Sequence, residues 1–404
     1  MIPTTANCHV CGGVRVRLLR ESQSLPRVSS DCKPLAQRPL IGWCEDCSAL
    51  VTDMSQEWRG LCDAVYSDYF AYRQSGGTED RVFVPAGVAG SRSAQVMGVV
   101  RHQMSGVIGI WLDFGCGTGN FISEIPTWFP EAKLVGLEWD ESGRERILGL
   151  PNVSRFVTSL AEVSDNSLDV LSMVHVLEHI EDPIALLASV FRVLRPGGYL
   201  LVQVPHVWSN PYALMIADHA THFDPHTLRA VITSSGLEVV TLMADAIPGE
   251  LTVLARRPVD YSGTRSVSLS NATAQPRQHS LDDAAGLVHA IGETVDWMLE
   301  TLSQSTSTAI LGTSIAGTWS AVVADGDFWS WVDEDPLRQG GVWLDHPVQS
   351  VEALGEGTLV LVMLAPIKAT SAMTRLRDGF PHVRFESPPA LAAWWVREER
   401  RLAV

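Results

Sequence analysis

The chain has 404 residues, is 46% hydrophobic, and sets 46 acidic against 30 basic side chains for a formal charge of −16. That length and apolar content can bury large cores and predict two or three domains. The acidic balance excludes a general affinity for nucleic-acid phosphates, which depends on clustered Lys and Arg. No uninterrupted apolar run reaches about 18 residues and the N-terminus lacks a basic-then-apolar pattern, so the expectation is a cytoplasmic protein with no membrane partner.

Six of the seven cysteines fall in the first 62 residues. Cys8-x-x-Cys11 and Cys44-x-x-Cys47 each present two thiolates from one tight turn, and two such turns make a closed tetrahedral site of the kind structural zinc occupies. The long gap between the pairs leaves Cys32 as a substitute ligand. Disulfides are the competing reading, disfavoured in a reducing compartment. Next, Tyr66 to Gly77 holds three of the six tyrosines, Tyr66, Tyr69 and Tyr72. Their rings can pack a small module onto its neighbour, and their phenols can donate, accept or help move a proton.

From residue 107 the pattern becomes regular. Strand-like runs at 107–112, 134–137, 153–157, 168–174, 199–204, 237–243 and 251–255 alternate with helical patterns, which predicts a mainly parallel, doubly wound sheet binding its ligand at the carboxyl ends of the strands. After the first run comes Asp113-Phe114-Gly115-Cys116-Gly117-Thr118-Gly119, whose glycines allow a tight turn and close approach to a ligand. Glu138 ends the second run, about 20 residues on, where a nucleotide-binding α/β fold places the acid that accepts from ribose hydroxyls. The spacing is not the G-x-G-x-x-G of a dinucleotide loop.

Ser159 and Leu160 follow the third run and His175 to His179 the fourth. For Glu178 and His179, bracing of the following helix competes with contact to substrate. Four of the twelve histidines, His206, His219, His222 and His226, then fall within 21 residues, with Asp218 and Asp224 among them. An imidazole beside a carboxylate can take a proton at neutral pH. Metal binding and simple packing are the rival readings.

The pattern Asp-x-Gly-x-Gly-x-Gly resembles motif I of class I S-adenosylmethionine-dependent methyltransferases. The resemblance implies that Asp113 and the loop of Gly115, Gly117 and Gly119 hold the amino-acid part of the cofactor. It further implies that Glu138 holds the ribose, that Ser159 and Leu160 lie by the adenine and that His175 lines the pocket. With the cysteine pairs, the tyrosine segment and Asp218-His219, the chain resembles more narrowly the bacterial zinc-knuckle nucleotide-sugar C-methyltransferases. That resemblance implies Zn²⁺ on Cys8, Cys11, Cys44 and Cys47 and a small-molecule partner, a nucleotide sugar. In it His219, with Asp218, removes a proton next to a keto group, and Tyr72, His206 and His222 complete the catalytic cluster. The sequence departs from the family at Asp218, where Glu is usual, and at Ile216, where Tyr is usual.

The C-terminal region follows a polar linker. Ser280-Leu281-Asp282-Asp283 reads as a helix start, and the stripe Leu287, Val288, Ile291, Val295, Met298, Leu299, Leu302 as a core-facing helix. Strands are expected at 309–311, 328–332 and 358–364, with Gly312, Ser314 and Asp333 as candidates to hold part of the substrate. The expected architecture is α/β: an N-terminal zinc-knuckle module (1–76), a central doubly wound Rossmann-like methyltransferase sheet (77–257), a linker (258–280) and a C-terminal Rossmann-like α/β domain (281–404), acting as monomer or homodimer. The competing functions are an O- or N-methyltransferase using the same core and a non-catalytic cofactor-binding scaffold.

Overall fold

Short apolar segments at Val16–Leu19, Ile41–Cys44 and Leu50–Thr52 pair antiparallel, and the fourth strand of their sheet, Thr221–His222, arrives from the middle of the chain. The computed structural model describes residues 7–84, 87–244, 246–260, 278–305 and 307–402. Most of the expected linker, residues 261–277, lies outside the described residues. Helix Gln56–Tyr66 starts at Ser55, whose hydroxyl accepts from Trp58 N–H, and it buries Trp58, Leu61 and Val65 along one face.

The central sheet contains β1 (Ile110–Phe114), β2 (Lys133–Leu137), β3 (Val153–Val157), β4 (Leu168–Val174), β5 (Leu194–Pro205), β6 (Glu238–Met243) and β7 (Glu250–Arg256). Their spatial order is β3-β2-β1-β4-β5-β7-β6. Neighbours are parallel from β3 to β5, and β7 runs antiparallel to both β5 and β6. The sheet is therefore mixed at one edge. All seven expected strands exist, but β1 starts at Ile110, not Val107. Val107 is 83% exposed, and the N–H groups of Gly109 and Ile110 are held by the Asp169 carboxylate. Strand order reverses between β1 and β4, which opens a crevice at their carboxyl ends, where ligands bind in sheets of this kind.

The C-terminal helix Leu281–Ser303 begins at the expected Ser280, whose side chain accepts from Asp283 N–H while Asp283 accepts from Ser280 N–H. Leu287, Val288, Ile291, Met298 and Leu302 are buried along its inner face, whereas Leu299 faces outward. A six-stranded sheet follows, with Thr308–Leu311, Ser330–Val332 and Leu359–Leu361 standing where strands were expected. One apolar cluster joins Val28 and Trp43 of the N-terminal module, Trp208 and Tyr212 after β5, and Trp319, Trp331 and Trp394 of the C-terminal unit. His279, expected in the polar linker, is buried there. It donates or accepts at Nε2 with Glu398 (2.7 Å) and stacks on Trp208 at 3.9 Å. No described helix is long and apolar enough to cross a membrane.

Candidate active site

The glycine loop is built by its backbone. Gly115, Gly117 and Gly119 have φ of 71°, 48° and 89°, left-handed values that side chains rarely tolerate. A Cβ on Gly115 would also lie 2.5 Å from Val176 Cγ2. Gly119 caps helix Asn120–Trp128, so the loop delivers a helix N-terminus to the crevice. Glu138 closes it from β2, accepting from Gly117 N–H at 3.0 Å and from Trp139 N–H at 3.1 Å. Burial raises the Glu138 pKa despite those bonds. Asp113 is 2% exposed and accepts from Ser172 Oγ (2.6 Å), which itself accepts from Trp111 Nε1 (2.9 Å). Burial lifts the Asp113 carboxyl to about 7, with Ser172 opposing the shift.

A cavity of about 800 Å³ extends from this loop across the crevice. Its walls come from widely separated parts of the chain. The glycine loop, Glu138 and Trp139 form one end. Tyr66, Tyr69 and Tyr72 form another wall, and His175, Glu178, His179 and His219 face them. The far end is made by Arg92, Glu250, Ser314 and Lys368. Ser314 precedes helix Ile315–Ala324, and Lys368 sits in the first turn of helix Pro366–Gly379, so two helix N-termini reach that end, where the cations Arg92 and Lys368 stand among the carboxylates of Glu79, Asp80 and Glu250. Burial lowers the Lys368 pKa. A second opening of about 380 Å³ lies against the same loop and is lined by Glu138, Thr158, Ser159 and Leu160.

The histidines have different environments. His219 is 3% exposed, and burial, reinforced by His179, His222 and His175, holds its pKa well below the usual value, so it is neutral at pH 7. Its ring meets that of His179 edge-on, with centroids 4.7 Å apart. His179 Nδ1 lies 3.0 Å from Tyr66 Oη, 3.1 Å from the Asp218 carbonyl oxygen and 3.3 Å from Asp218 Oδ2. Burial opposes its charge, but Asp218 outweighs burial and raises the pKa. Asp218 is fully buried and also accepts from Ser30 N–H (2.9 Å) and Ser30 Oγ (2.5 Å). Tyr72, at φ 56°, accepts from Arg92 Nη1 at 2.8 Å. His175, also left-handed, has Nδ1 3.1 Å from Glu178 Oε1 and Nε2 3.3 Å from Glu250 Oε2.

At the N-terminus the four sulfurs converge. Cys8 and Cys47 are 3.7 Å apart, Cys11 and Cys44 are 3.6 Å apart, and all four lie within 4.8 Å of one another. Thiolates at about 2.3 Å from a tetrahedral ion stand about 3.8 Å apart, so the cluster has the right size for one. Gly13 N–H donates to Cys11 Sγ at 3.3 Å, as a backbone amide does to a ligating thiolate. Cys32 is not a member: it is buried at φ 64° on the wall of the large cavity.

A family model described as a methyltransferase domain matches residues 61–242. These residues form a class I S-adenosylmethionine-dependent methyltransferase domain. Its relatives include the trans-aconitate 2-methyltransferase of Methylobacterium radiotolerans, 26% identical over 47% of this chain and 66% of the relative. The enzyme of the same name from Deinococcus radiodurans is 34% identical over 28% of this chain and 40% of the relative. Each match spans less than two thirds of the curated relative's own length. A solved S-adenosylmethionine-dependent methyltransferase from Mesorhizobium loti aligns over 40% of this chain and 98% of its own, with 19% identity and a TM-score of 0.33.

Within the methyltransferase domain, Asp113, the three glycines, Glu138, His175 and His219 all reach the large cavity except Gly119, which works from behind the loop as a helix cap. Ser159 and Leu160 line the second opening, although the Ser159 hydroxyl is used locally, accepting from Ala161 N–H. Two expected catalytic residues lie elsewhere. His206, 1% exposed, is outside the cavity wall and faces the charges of Asp224, His279 and Glu398, with burial lowering its pKa to about 4. His222 belongs to strand Thr221–His222 and contacts Thr52 Oγ1 at 3.2 Å, with burial lowering its pKa to about 3. Asp218 does not accompany His219: its carboxylate turns to Ser30 and His179. In the C-terminal unit Ser314 reaches the cavity, but Asp333 is occupied by Thr313 N–H, Thr313 Oγ1 and Arg338.

Sequence reasoning did not single out Ser30, Arg92, Glu250 or Lys368, because each is an isolated polar residue that meets the others only in three dimensions. Trp139, 59% exposed at the cavity rim directly after Glu138, had a signal in its position. Replacing Gly115 with Ala should weaken S-adenosylmethionine binding at least about tenfold by calorimetry, because the left-handed φ and the Val176 methyl both resist a Cβ. Binding equal to the parent would show that the loop does not approach the donor.

Proposed function

We propose that the protein is an S-adenosylmethionine-dependent methyltransferase that methylates a carbon of a nucleotide-linked keto sugar through an enolate formed by His219. The observation that carries this reading is the single cavity joining the glycine loop and Glu138 to a neutral, buried His219, and then to a far end where Arg92, Lys368 and two helix N-termini meet the carboxylates of Glu79, Asp80 and Glu250. Bound at the glycine loop, S-adenosylmethionine supplies an electrophilic methyl group on a sulfonium. Asp113 and the loop amides hold its amino-acid part, Glu138 its ribose, and Leu160 with Ser159 the side of the adenine. His219 takes the proton from the carbon beside the carbonyl, which leaves an electron pair for the new carbon–carbon bond. Tyr72, set by Arg92, orients the sugar, and Arg92, Lys368 and the two helix N-termini favour a phosphate-bearing acceptor. Zn²⁺ on Cys8, Cys11, Cys44 and Cys47 has a structural role, since four thiolates leave no open coordination position.

Oxygen or nitrogen methylation of another small molecule is the second reading, supported by relatives named for a substrate that is not a sugar, trans-aconitate, and it needs no carbon-acid base. The test is mass spectrometry of products from a panel of nucleotide keto sugars incubated with labelled methyl donor. The expected product carries the label on a carbon adjacent to the carbonyl. Label on oxygen or nitrogen would replace this reading with the second one.

A further inference from the structure

The two facing histidines of the cavity are set up differently. His179 is gripped at Nδ1 by Asp218 and Tyr66, and its Nε2 has no hydrogen bond among the described residues. Asp218 is itself fixed by two bonds from Ser30, a residue of the N-terminal module 188 positions away. Among the described residues His219 makes no ion pair with a carboxylate. The nearest donor atoms of Glu178, His179 and His219 lie within 4.8 Å of one another, so a single acceptor atom can sit beside both rings.

Resting on the enolate reading above, we propose that His179 is the catalytic acid of this site, donating from Nε2 to the carbonyl oxygen as it becomes an enolate oxygen. Asp218 is its positioning residue and serves His179, not its sequence neighbour His219. Proton accounting is closed. The C–H bond breaks, its proton goes to His219, and its electron pair moves toward the carbonyl oxygen, which is met by the N–H of His179. As the carbon–carbon bond forms and the methyl–sulfur bond breaks with its pair on sulfur, the carbonyl is restored and His179 keeps its proton. One proton leaves through His219. Two titratable groups pushed apart by their surroundings, one up and one down, form an acid–base pair. The groups facing the pair are Tyr66 and Cys62 on helix Gln56–Tyr66, His175 and Glu178 after β4, and Asp218 and His222 on the segment that carries His219.

Imidazole ¹⁵N NMR of the zinc-loaded full chain tests this without any acceptor, with the signals assigned by His179→Gln and His219→Gln. His179 should titrate above the ordinary histidine value, while His219 stays neutral as the pH is lowered below 6. Asp218→Asn should lower the His179 pKa, because burial is then opposed only by Glu178 and the carbonyl of residue 218. Ser30→Ala should move it the same way by less, and serves if Asp218→Asn does not fold. A His179 that titrates below the ordinary histidine value in the parent protein would overturn the proposal. So would tight binding of a second metal equivalent that His219→Gln removes, since a coordinated imidazole is not a base.

The second measurement is deuterium exchange from solvent into a panel of nucleotide keto sugars with no methyl donor. The rate should be bell-shaped in pH, with the acid limb set by His219 and the alkaline limb by His179. His179→Gln should lower it about 10²-fold and abolish the alkaline limb, and Asp218→Asn should move only that limb to lower pH. No exchange with the parent protein would sink the enolate reading. Parent exchange that His179→Gln leaves intact would sink this assignment alone.

Discussion

His219→Gln is expected to lower methyl transfer by roughly 10²–10⁴-fold, the range usual for losing a general base, with S-adenosylmethionine affinity unchanged. The size follows from the lack of a substitute. His206 and His222 are also neutral, but the first faces the C-terminal helix and the second the N-terminal sheet. His179 is committed to Asp218, and His175 to Glu178 and Glu250. Donor binding should survive because Asp113, the glycines and Glu138 are organised by Ser172, Val176 and one another, without His219. Calorimetry with the donor and a labelled-methyl assay on nucleotide keto sugars check the two halves separately. Full transfer by the variant would show that no carbon acid is ionised at this residue.

The donor half was legible because it is local. A buried strand, a glycine loop and an acid at the next strand end are contiguous patterns, and the same short-range rules that write them into sequence build them in space. The acceptor half was legible only in part. Asp218 and His219 read as a pair because they are adjacent, yet they leave the turn after Ile216 in different directions. The Asp218 carboxylate goes to Ser30 and His179 at the edge of the cavity, while the His219 ring stands on the cavity wall without it. His222 was drawn away by strand pairing with Leu50, a partner 172 positions earlier. His206 belonged to a buried polar group with Asp224, His279 and Glu398 that no local pattern announces. The left-handed backbone of Tyr72, which aims its ring, leaves no mark in the sequence either, since tyrosine does not favour that conformation.

The same long-range pairing makes the cysteine cluster matter to the acceptor site. Cys44 ends strand Ile41–Cys44, Cys47 lies in the turn, and the next strand, Leu50–Thr52, pairs with Thr221–His222. Thr52 holds the His219 segment twice: its N–H donates to the Ala220 carbonyl at 2.9 Å and its hydroxyl to the His219 carbonyl at 2.6 Å. Removing a metal from four thiolates sets free charges that repel, and in small sites of this type metal binding supplies much of the folding free energy. Cys44→Ser, or a strong chelator, should therefore abolish one equivalent of zinc in elemental analysis and reduce methyl transfer to background. S-adenosylmethionine binding should persist within a few-fold, because among the described residues no hydrogen bond joins the glycine loop or β2 to that sheet. Hydrogen exchange should localise the damage, with protection lost at residues 41–52 and 219–222 and kept in β1, β2 and β4. Zinc-free protein with unchanged protection at those residues, or one losing donor binding in parallel with transfer, would show that the cluster does not act through the Thr52 clamp.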